Sequence, residues 1–357
     1  MTNQNSNINT DKMLRSIKSR QIIFPILIGF SVIIYLFWGE FNQKAFSEVP
    51  FTKLTILFIF LAAFMMLTRD FGYVVRLKLL SGKKMSWRQC IRVIFLWEFT
   101  SAVTPSAVGG TSVAVFFIYK ENVSFGESSA IVLATAFLDE LYFLIMFPII
   151  ILSVNHSELF TITNSNLHAS NWSTEFLYFT IIGYSLKAIF TLLVGYGLFI
   201  NPLKVKYLLF TIFKLRFIRK WRRSAVKTGN DIVLASYEFK NKSFIFWLKA
   251  FFTTFIAWTS RYWVVNLLFL AFFVVPNHFM IFARQLVMWI MMLVSPTPGG
   301  SGFAEFIFSK FLGQYIPVIT LIPILVILWR LITYYPYLII GAFLVPIWIK
   351  NKFTSNE

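Results

Sequence analysis

Two glycine pairs, each closely preceded by proline, interrupt apolar stretches in opposite halves of the chain. The first lies in residues 104–112, TPSAVGGTS, and the second in residues 295–302, SPTPGGSG. Proline and glycine break helices, and within hydrocarbon a broken helix leaves costly unpaired backbone groups. Such breaks survive only where protein or a water-filled cavity surrounds them. Matching breaks in two halves therefore indicate a transport site rather than an enzyme motif.

The composition is typical of a membrane protein, since 57% of the residues are hydrophobic and 13% are charged, against about 25% charged in soluble domains. Five segments can each span about 30 Å of hydrocarbon, namely 21–39, 52–68, 128–154, 176–200 and 244–275. The interrupted regions 89–119, 280–313 and 317–349 supply the remainder. We predict an all-α polytopic membrane protein with about six full transmembrane helices plus two re-entrant helical hairpins, 89–119 and 280–313.

Positive charge sets the expected orientation, because lysine and arginine concentrate in cytoplasmic loops. The Lys/Arg excess places residues 1–20, 69–92, 201–243 and 351–357 in the cytoplasm. We expect a single transmembrane domain over 21–350 in a bacterial cytoplasmic (inner) membrane, with both termini cytoplasmic. The alternative, in which each half of a hairpin crosses fully, stays open.

The formal net charge of +18 lies in loops beside apolar spans, so topology and anionic lipid explain it better than nucleic acid. The basic segment 201–243 fits an amphipathic helix on the membrane surface or a plain topogenic charge cluster. The lone Cys90 excludes an internal disulfide and a multi-cysteine metal site. No cofactor or metal is expected.

The two hairpins resemble one another. Residues 109–116, GGTSVAVF, align with residues 299–306, GGSGFAEF. One hairpin is expected to enter from the cytoplasm and the other from outside, which is the pattern of an inverted-topology repeat.

Three motifs carry a family resemblance: Pro-x-x-x-Gly-Gly at the first break, Pro-Thr-Pro-Gly-Gly-Ser-Gly-x-x-Glu at the second, and Leu138-Asp139-Glu140 between them. The chain resembles, over about residues 20–350, the transmembrane region of lysylphosphatidylglycerol synthases. The resemblance implies movement of lipids across the membrane, while a separate soluble aminoacyltransferase domain makes the lysyl lipid. The sequence ends at Glu357 without room for that domain, so we expect the transport part alone.

The candidate substrate ligands combine the glycine turns with arginines inside apolar spans. Glycine lets backbone N–H groups face an anion, and the planar guanidinium fork suits a lipid phosphate. Close helix packing is the alternative role of the glycines. The candidates are Gly109, Gly110, Thr111, Ser112, Gly299, Gly300, Ser301, Arg261 and Arg330.

Four acidic residues inside predicted membrane segments are candidates for proton coupling or for charge pairs: Glu98, Asp139, Glu140 and Glu305. Of these, Asp139 and Glu305 are the expected partners of Arg261 or Arg330 and the candidates for carrying a proton. Arg284 lies near a segment end, and we expect its side chain to snorkel toward the interface.

The sequence thus predicts a non-enzymatic lipid translocator that holds a phosphate-bearing headgroup between the hairpins. The expected partner is an anionic or zwitterionic phospholipid or a polyprenyl-linked lipid. The alternatives are a membrane-embedded enzyme using clustered acids such as Asp139 with Glu305, and a non-catalytic scaffold for a lipid-modifying enzyme. The oligomeric state stays open, with a homodimer as one form.

Overall fold

The computed structural model describes residues 51–104, 107–160, 169–214, 219, 222–292, 295, 297 and 299–353. Every regular element in these ranges is helical, which confirms the all-α class. In chain order the α-helices are α1 (Lys53–Ser81), α2 (Trp87–Val103), α3 (Ala107–Lys120), α4 (Phe125–Ser153), α5 (His156–Leu159), α6 (Ala169–Phe199), α7 (Pro202–Ile212), α8 (Arg222–Phe239), α9 (Phe244–Leu270), α10 (His278–Met292), α11 (Phe303–Leu312), α12 (Leu321–Thr333) and α13 (Tyr335–Phe353).

Hydroxyl side chains define where several of these helices begin. Thr52, Ser86, Ser124 and Ser243 precede α1, α2, α4 and α9, and each accepts a hydrogen bond from a backbone N–H of the first turn. Such caps satisfy donors that the helix itself leaves unpaired. Polar capping residues therefore mark the boundaries between apolar helices.

Four stretches of the described chain are long and apolar enough to cross a membrane: α1, α4, residues 180–199 of α6, and the joined α12–α13. They match the predicted segments 52–68, 128–154, 176–200 and 317–349. Helix α9 covers most of the predicted span 244–275, but it is not among these four stretches. The predicted first span, 21–39, lies outside the described residues.

The two glycine-containing regions are both helix–break–helix units, as predicted. Helices α2, α3, α10 and α11 contain 17, 14, 15 and 10 residues. At about 1.5 Å per residue, none of the four reaches the roughly 30 Å of a bilayer core. The last region divides at Tyr334, two residues before Pro336, because proline cannot donate within a helix and restricts the residue before it.

The order of helices repeats along the chain. A long helix, two short helices and another long helical stretch occur as α1–α4 and again as α9–α13. Helices α1 and α9 pack against each other in opposite directions. Phe51, before α1, contacts Phe272, after α9, whereas Gly72, farther along α1, faces Ala257, which lies earlier in α9. Antiparallel packing of equivalent helices supports the predicted inverted repeat.

The predicted cytoplasmic loop 69–92 is wrong in its extent. Helix α1 continues to Ser81, and Arg69 and Arg76 are only 2% and 4% exposed within the bundle. Both arginines are buried because carboxylates on neighbouring helices neutralise them. The connection between α1 and α2 is only residues 82–86.

Candidate functional site

The breaks of both hairpins and of the last helix meet at one junction. The Tyr334 hydroxyl donates to the backbone oxygen of Ala102, at the end of α2, over 3.1 Å. The same hydroxyl lies 3.1 Å from Ser301 Oγ in the second glycine turn. A Cβ atom on Gly299 would lie 2.7 Å from that Ala102 oxygen. The sequence therefore brings the three interruptions into direct contact.

This junction lies near the middle depth of the bundle. One turn beyond Tyr334, the Tyr337 hydroxyl donates to Asp70 over 2.9 Å and accepts from Arg69 over 3.0 Å. Arg69 and Asp70 lie near the middle of the 29-residue α1. Interruptions at mid-depth are a recurring feature of membrane transport sites.

The second glycine turn has a backbone that favours glycine. Gly299, Gly300 and Gly302 have φ values of 57°, 69° and 84°, a left-handed region that costs other residues about 1–2 kcal/mol. Space is also restricted, because a Cβ atom on Gly299 would lie 2.6 Å from the Tyr334 hydroxyl. The turn is thus packed by protein.

An ion pair holds this second turn. Arg330 Nη2 donates to Glu305 Oε2 over 2.9 Å and to the Gly300 oxygen over 3.3 Å, and its Nε lies 2.8 Å from Glu305 Oε1. Glu305 Oε2 also accepts from the Gly302 N–H over 2.7 Å. The side chains of the pair are 5% and 0% exposed. Arg330 therefore engages Glu305, the internal pairing that the sequence offered as an alternative to ligand binding.

The first glycine pair lies inside a helix. Helix α3 begins at Ala107, so the helix break is shorter than the stretch 104–112 in which the sequence places it. A Cβ atom on Gly110 would lie 2.9 Å from Ser101 Cα on α2, so Gly110 permits close packing of the two helices. Gly109 also lies in α3, and the side chains of Thr111 and Ser112 lie outside the described part of the structure.

Two ion pairs lie side by side on α4. Asp139 accepts from Arg76 Nη1 over 2.5 Å and from Trp258 Nε1 over 2.7 Å. Glu140 accepts from Lys187 Nζ over 2.5 Å. The Lys187 ammonium also lies 3.6 Å from the centroid of a Trp289 ring, a cation–π contact.

A third pair joins α1 to the first hairpin, since Arg69 Nη2 lies 2.7 Å from Glu98 Oε1. The carboxylates of these pairs remain partly open. Glu98, Asp139 and Glu140 are 20%, 25% and 21% exposed, whereas Arg69 is 3% exposed. They contrast with the sealed Arg330–Glu305 pair.

Arg261 is a half-buried cation on α9 beside these pairs. Its guanidinium carbon lies 5.8 Å from the ring centroid of Trp258, the residue that donates to Asp139. Among the described residues, no carboxylate lies within ion-pair distance of Arg261. We call Glu98, Asp139, Glu140, Lys187 and Arg261 the half-open cluster.

The predicted snorkelling of Arg284 is wrong. Its side chain is fully buried and donates to the backbone oxygens of Glu158 and Phe311. Neighbouring elements cover α10 on this side, so the guanidinium satisfies carbonyl groups at the ends of α5 and α11.

The sequence reasoning missed Lys187, although a single lysine within the apolar stretch 176–200 was a usable signal. It also missed Glu121, which follows α3 and is fully buried. Glu121 accepts hydrogen bonds from three residues, Gln89, Arg92 and Trp348, and it forms an ion pair with Lys352. Burial alone would raise the pKa of Glu121, but hydrogen bonds from Lys352, Trp348, Arg92 and Gln89 lower it below its ordinary value of 4.5.

The acids that an enzyme site would have to combine are each engaged elsewhere. Asp139 binds Arg76, and Glu305 binds Arg330. Within the described ranges, no three His, Cys, Asp or Glu side chains converge as metal ligands.

Comparison with known proteins settles the family. The family described as "Lysylphosphatidylglycerol synthase TM region" matches residues 22–341. The chain belongs to this family. It is also 25% identical over 357 residues to a UPF0104 membrane protein of Archaeoglobus fulgidus, an alignment that covers 93% of this chain and 98% of the relative. The protein is therefore a membrane protein of a lipid-related family, as the glycine motifs predicted.

Proposed function

We propose that this protein moves a phosphate-bearing lipid between the leaflets of a bacterial cytoplasmic membrane, without changing the lipid chemically. The observation that carries the proposal is Arg261, a cation in a transmembrane bundle without a described carboxylate partner. An arginine at the bilayer centre costs about 2.5–3.5 kcal/mol on insertion scales. An anionic ligand would offset that cost.

In the proposed mechanism, the headgroup phosphate binds Arg261 while the acyl chains stay in surrounding lipid. The half-open cluster replaces part of the headgroup water, which lowers the barrier that desolvation imposes. The Lys187–Glu140 pair, being partly exposed, can open and present its ammonium to the phosphate. A phosphate that moves from one cation to the other progresses through the bundle.

The hairpins supply the frame for this path. Because α2, α3, α10 and α11 are each shorter than the bilayer core, we propose that both hairpins are re-entrant and approach from opposite sides. The sealed Arg330–Glu305 pair fixes the second glycine turn, and Gly110 lets α2 and α3 pack closely. In this account the glycines shape the walls beside the headgroup, and Arg261 binds it.

The experiment is reconstitution into vesicles that contain fluorescent phosphatidylglycerol, followed by external dithionite. The protein should expose inner-leaflet lipid to bleaching. Arg261→Gln should slow this about tenfold or more, since losing a charge-assisted hydrogen bond costs about 1.5–3 kcal/mol. The matched control is Lys249→Gln, a change at an exposed lysine of the same helix, which should leave the rate unchanged.

An unchanged rate in Arg261→Gln would remove Arg261 from the path. Mass spectrometry of the same vesicles distinguishes the other functions. A new lipid product would indicate an enzyme. A protein that neither exposes inner-leaflet lipid to bleaching nor forms a product would be a scaffold. Either result would overturn the proposed translocation.

A further inference from the structure

A wide groove opens between α4, the end of α6, and α7 to α9, away from the junction of the helix breaks. Its volume is about 840 Å³, within the range of about 300–1,000 Å³ for small-ligand sites. The walls are largely apolar and rich in aromatic rings, including Phe137, Phe199, Phe239, Trp247 and Phe251. Such a floor suits an acyl chain.

Two lysines lie at the rim of this groove, in the connection between α8 and α9. Lys240 and Lys242 both line it and are exposed, and the Lys242 ammonium lies 5.1 Å from the Phe246 ring centroid. Neither lysine has a carboxylate within ion-pair distance among the described residues. Asn201 adds a polar side chain to the same lining. An apolar floor with a cationic rim matches the shape of an anionic phospholipid.

The surroundings strengthen this charge complementarity. The segment 201–243 carries eleven lysines and arginines against Asp231 and Glu238. Basic residues at a membrane surface attract anionic lipid with about 1 kcal/mol each. The rim therefore lies in a positive field that favours anionic over zwitterionic headgroups.

We propose that this groove binds one anionic phospholipid of the adjacent leaflet, with an acyl chain on the aromatic floor and the phosphate between Lys240 and Lys242. The proposal concerns binding and not transport. It is therefore tested separately from the proposed translocation, and either can fail without the other.

The test is native mass spectrometry of the purified protein after incubation with equal amounts of phosphatidylglycerol and phosphatidylcholine. The wild-type protein should retain phosphatidylglycerol in preference. The double variant Lys240→Gln/Lys242→Gln should retain about thirtyfold less of it, since two surface lysines together favour an anionic lipid by about 2 kcal/mol. Equal retention of both lipids by the wild type, or undiminished phosphatidylglycerol in the double variant, would overturn the proposal.

Lys83→Gln is the matched control, because Lys83 is another exposed lysine and follows the end of α1 that packs near the start of α9. This variant should bind phosphatidylglycerol as the wild type does. A loss equal to that of the double variant would show that general surface charge, and not this groove, binds the lipid, and it would overturn the proposal.

Leu248→Trp tests the apolar floor of the groove. Leu248 lines the groove and is 54% exposed, so the larger ring fills the groove without entering the core. Retention of phosphatidylglycerol should fall, and unchanged retention would overturn the groove as the site of the acyl chain.

Discussion

The two hairpins are held at opposite ends. The second is anchored at its tip, where Arg330 bonds Glu305 and the Gly300 carbonyl. The first is anchored at its base, where Glu121 receives hydrogen bonds from Arg92 and pairs with Lys352. Its tip is held by packing and by the Tyr334 hydroxyl. Two similar sequence motifs thus produce one turn of fixed backbone geometry and one close contact between regular helices.

The difference follows from where each glycine pair lies relative to its proline. Gly299 follows Pro298 directly and continues the interruption with positive φ values. Gly110 comes five residues after Pro105, which leaves room for α3 to begin before it. A shared Gly-Gly motif therefore need not have a shared conformation.

Removing the Arg330–Glu305 ion pair that anchors the second turn should cause the largest loss of stability. Arg330→Met leaves Glu305 buried without its partner, and breaking a buried pair in this way costs about 3–5 kcal/mol. The unfolding midpoint in detergent should fall strongly. The double variant Arg330→Met/Glu305→Gln should recover part of the loss. A double variant no more stable than the single one would show that the pair does not hold the turn.

Gly299→Ala should have the next largest effect, a loss of about 3 kcal/mol in the free energy of unfolding. The left-handed backbone accounts for about 1–2 kcal/mol, and overpacking against the Ala102 oxygen adds the rest. Gly300→Ala should cost less, because the nearest atom is the flexible end of Met292. Equal losses of thermal stability in the two variants would contradict this ranking.

Gly110→Ala should cost about 2 kcal/mol through overpacking alone, because its backbone is helical. Adding Ser101→Gly removes the Oγ and Cβ atoms that crowd the new methyl group and should restore part of the midpoint. If Ser101→Gly restored none of the unfolding midpoint, the backbone of Gly110, like that of Gly299, would require glycine.

The anchor at the base of the first hairpin should depend on pH. The folded-state pKa of Glu121 lies below 4.5, so its contribution is present above that value and disappears as the pH falls through the folded-state pKa. Glu121→Gln should lower the unfolding midpoint at pH 7 by the equivalent of about 2 kcal/mol, as hydrogen bonds to a charged group are lost. The gap between the variant and the wild type should narrow in acid. A gap that stays constant from pH 7 to pH 3 would exclude the Glu121 carboxylate as its source.

The smallest effect is expected at the junction. Tyr334→Phe removes the bond to the Ala102 oxygen and the contact with Ser301 Oγ, and it should cost about 1 kcal/mol. A loss as large as that of Arg330→Met would show that the junction, rather than the ion pair, holds the second turn.

The sequence predicted the fold class and both helix breaks, because proline and glycine act locally and apolar length is visible in one chain. It also identified the intramembrane charges Arg261, Arg330 and Glu305. The sequence did not predict that Arg69 and Arg76 are buried in a helix. Helix α1 extends beyond its apolar run, and charged residues that follow such a run are typical of a loop. The partners of Glu121 lie on α2 and on α13, and a single sequence does not reveal such contacts between distant segments.

The central claim is that a cation at position 261 binds the lipid phosphate on a path open to water. The most direct test measures lipid translocation by Arg261→Cys in a Cys90→Ala background, before and after reaction with a trimethylammonium-ethyl methanethiosulfonate. The account predicts slow translocation that accelerates once the reagent restores the positive charge. A thiol that does not react, or a rate equal to the wild type before reaction, would contradict it.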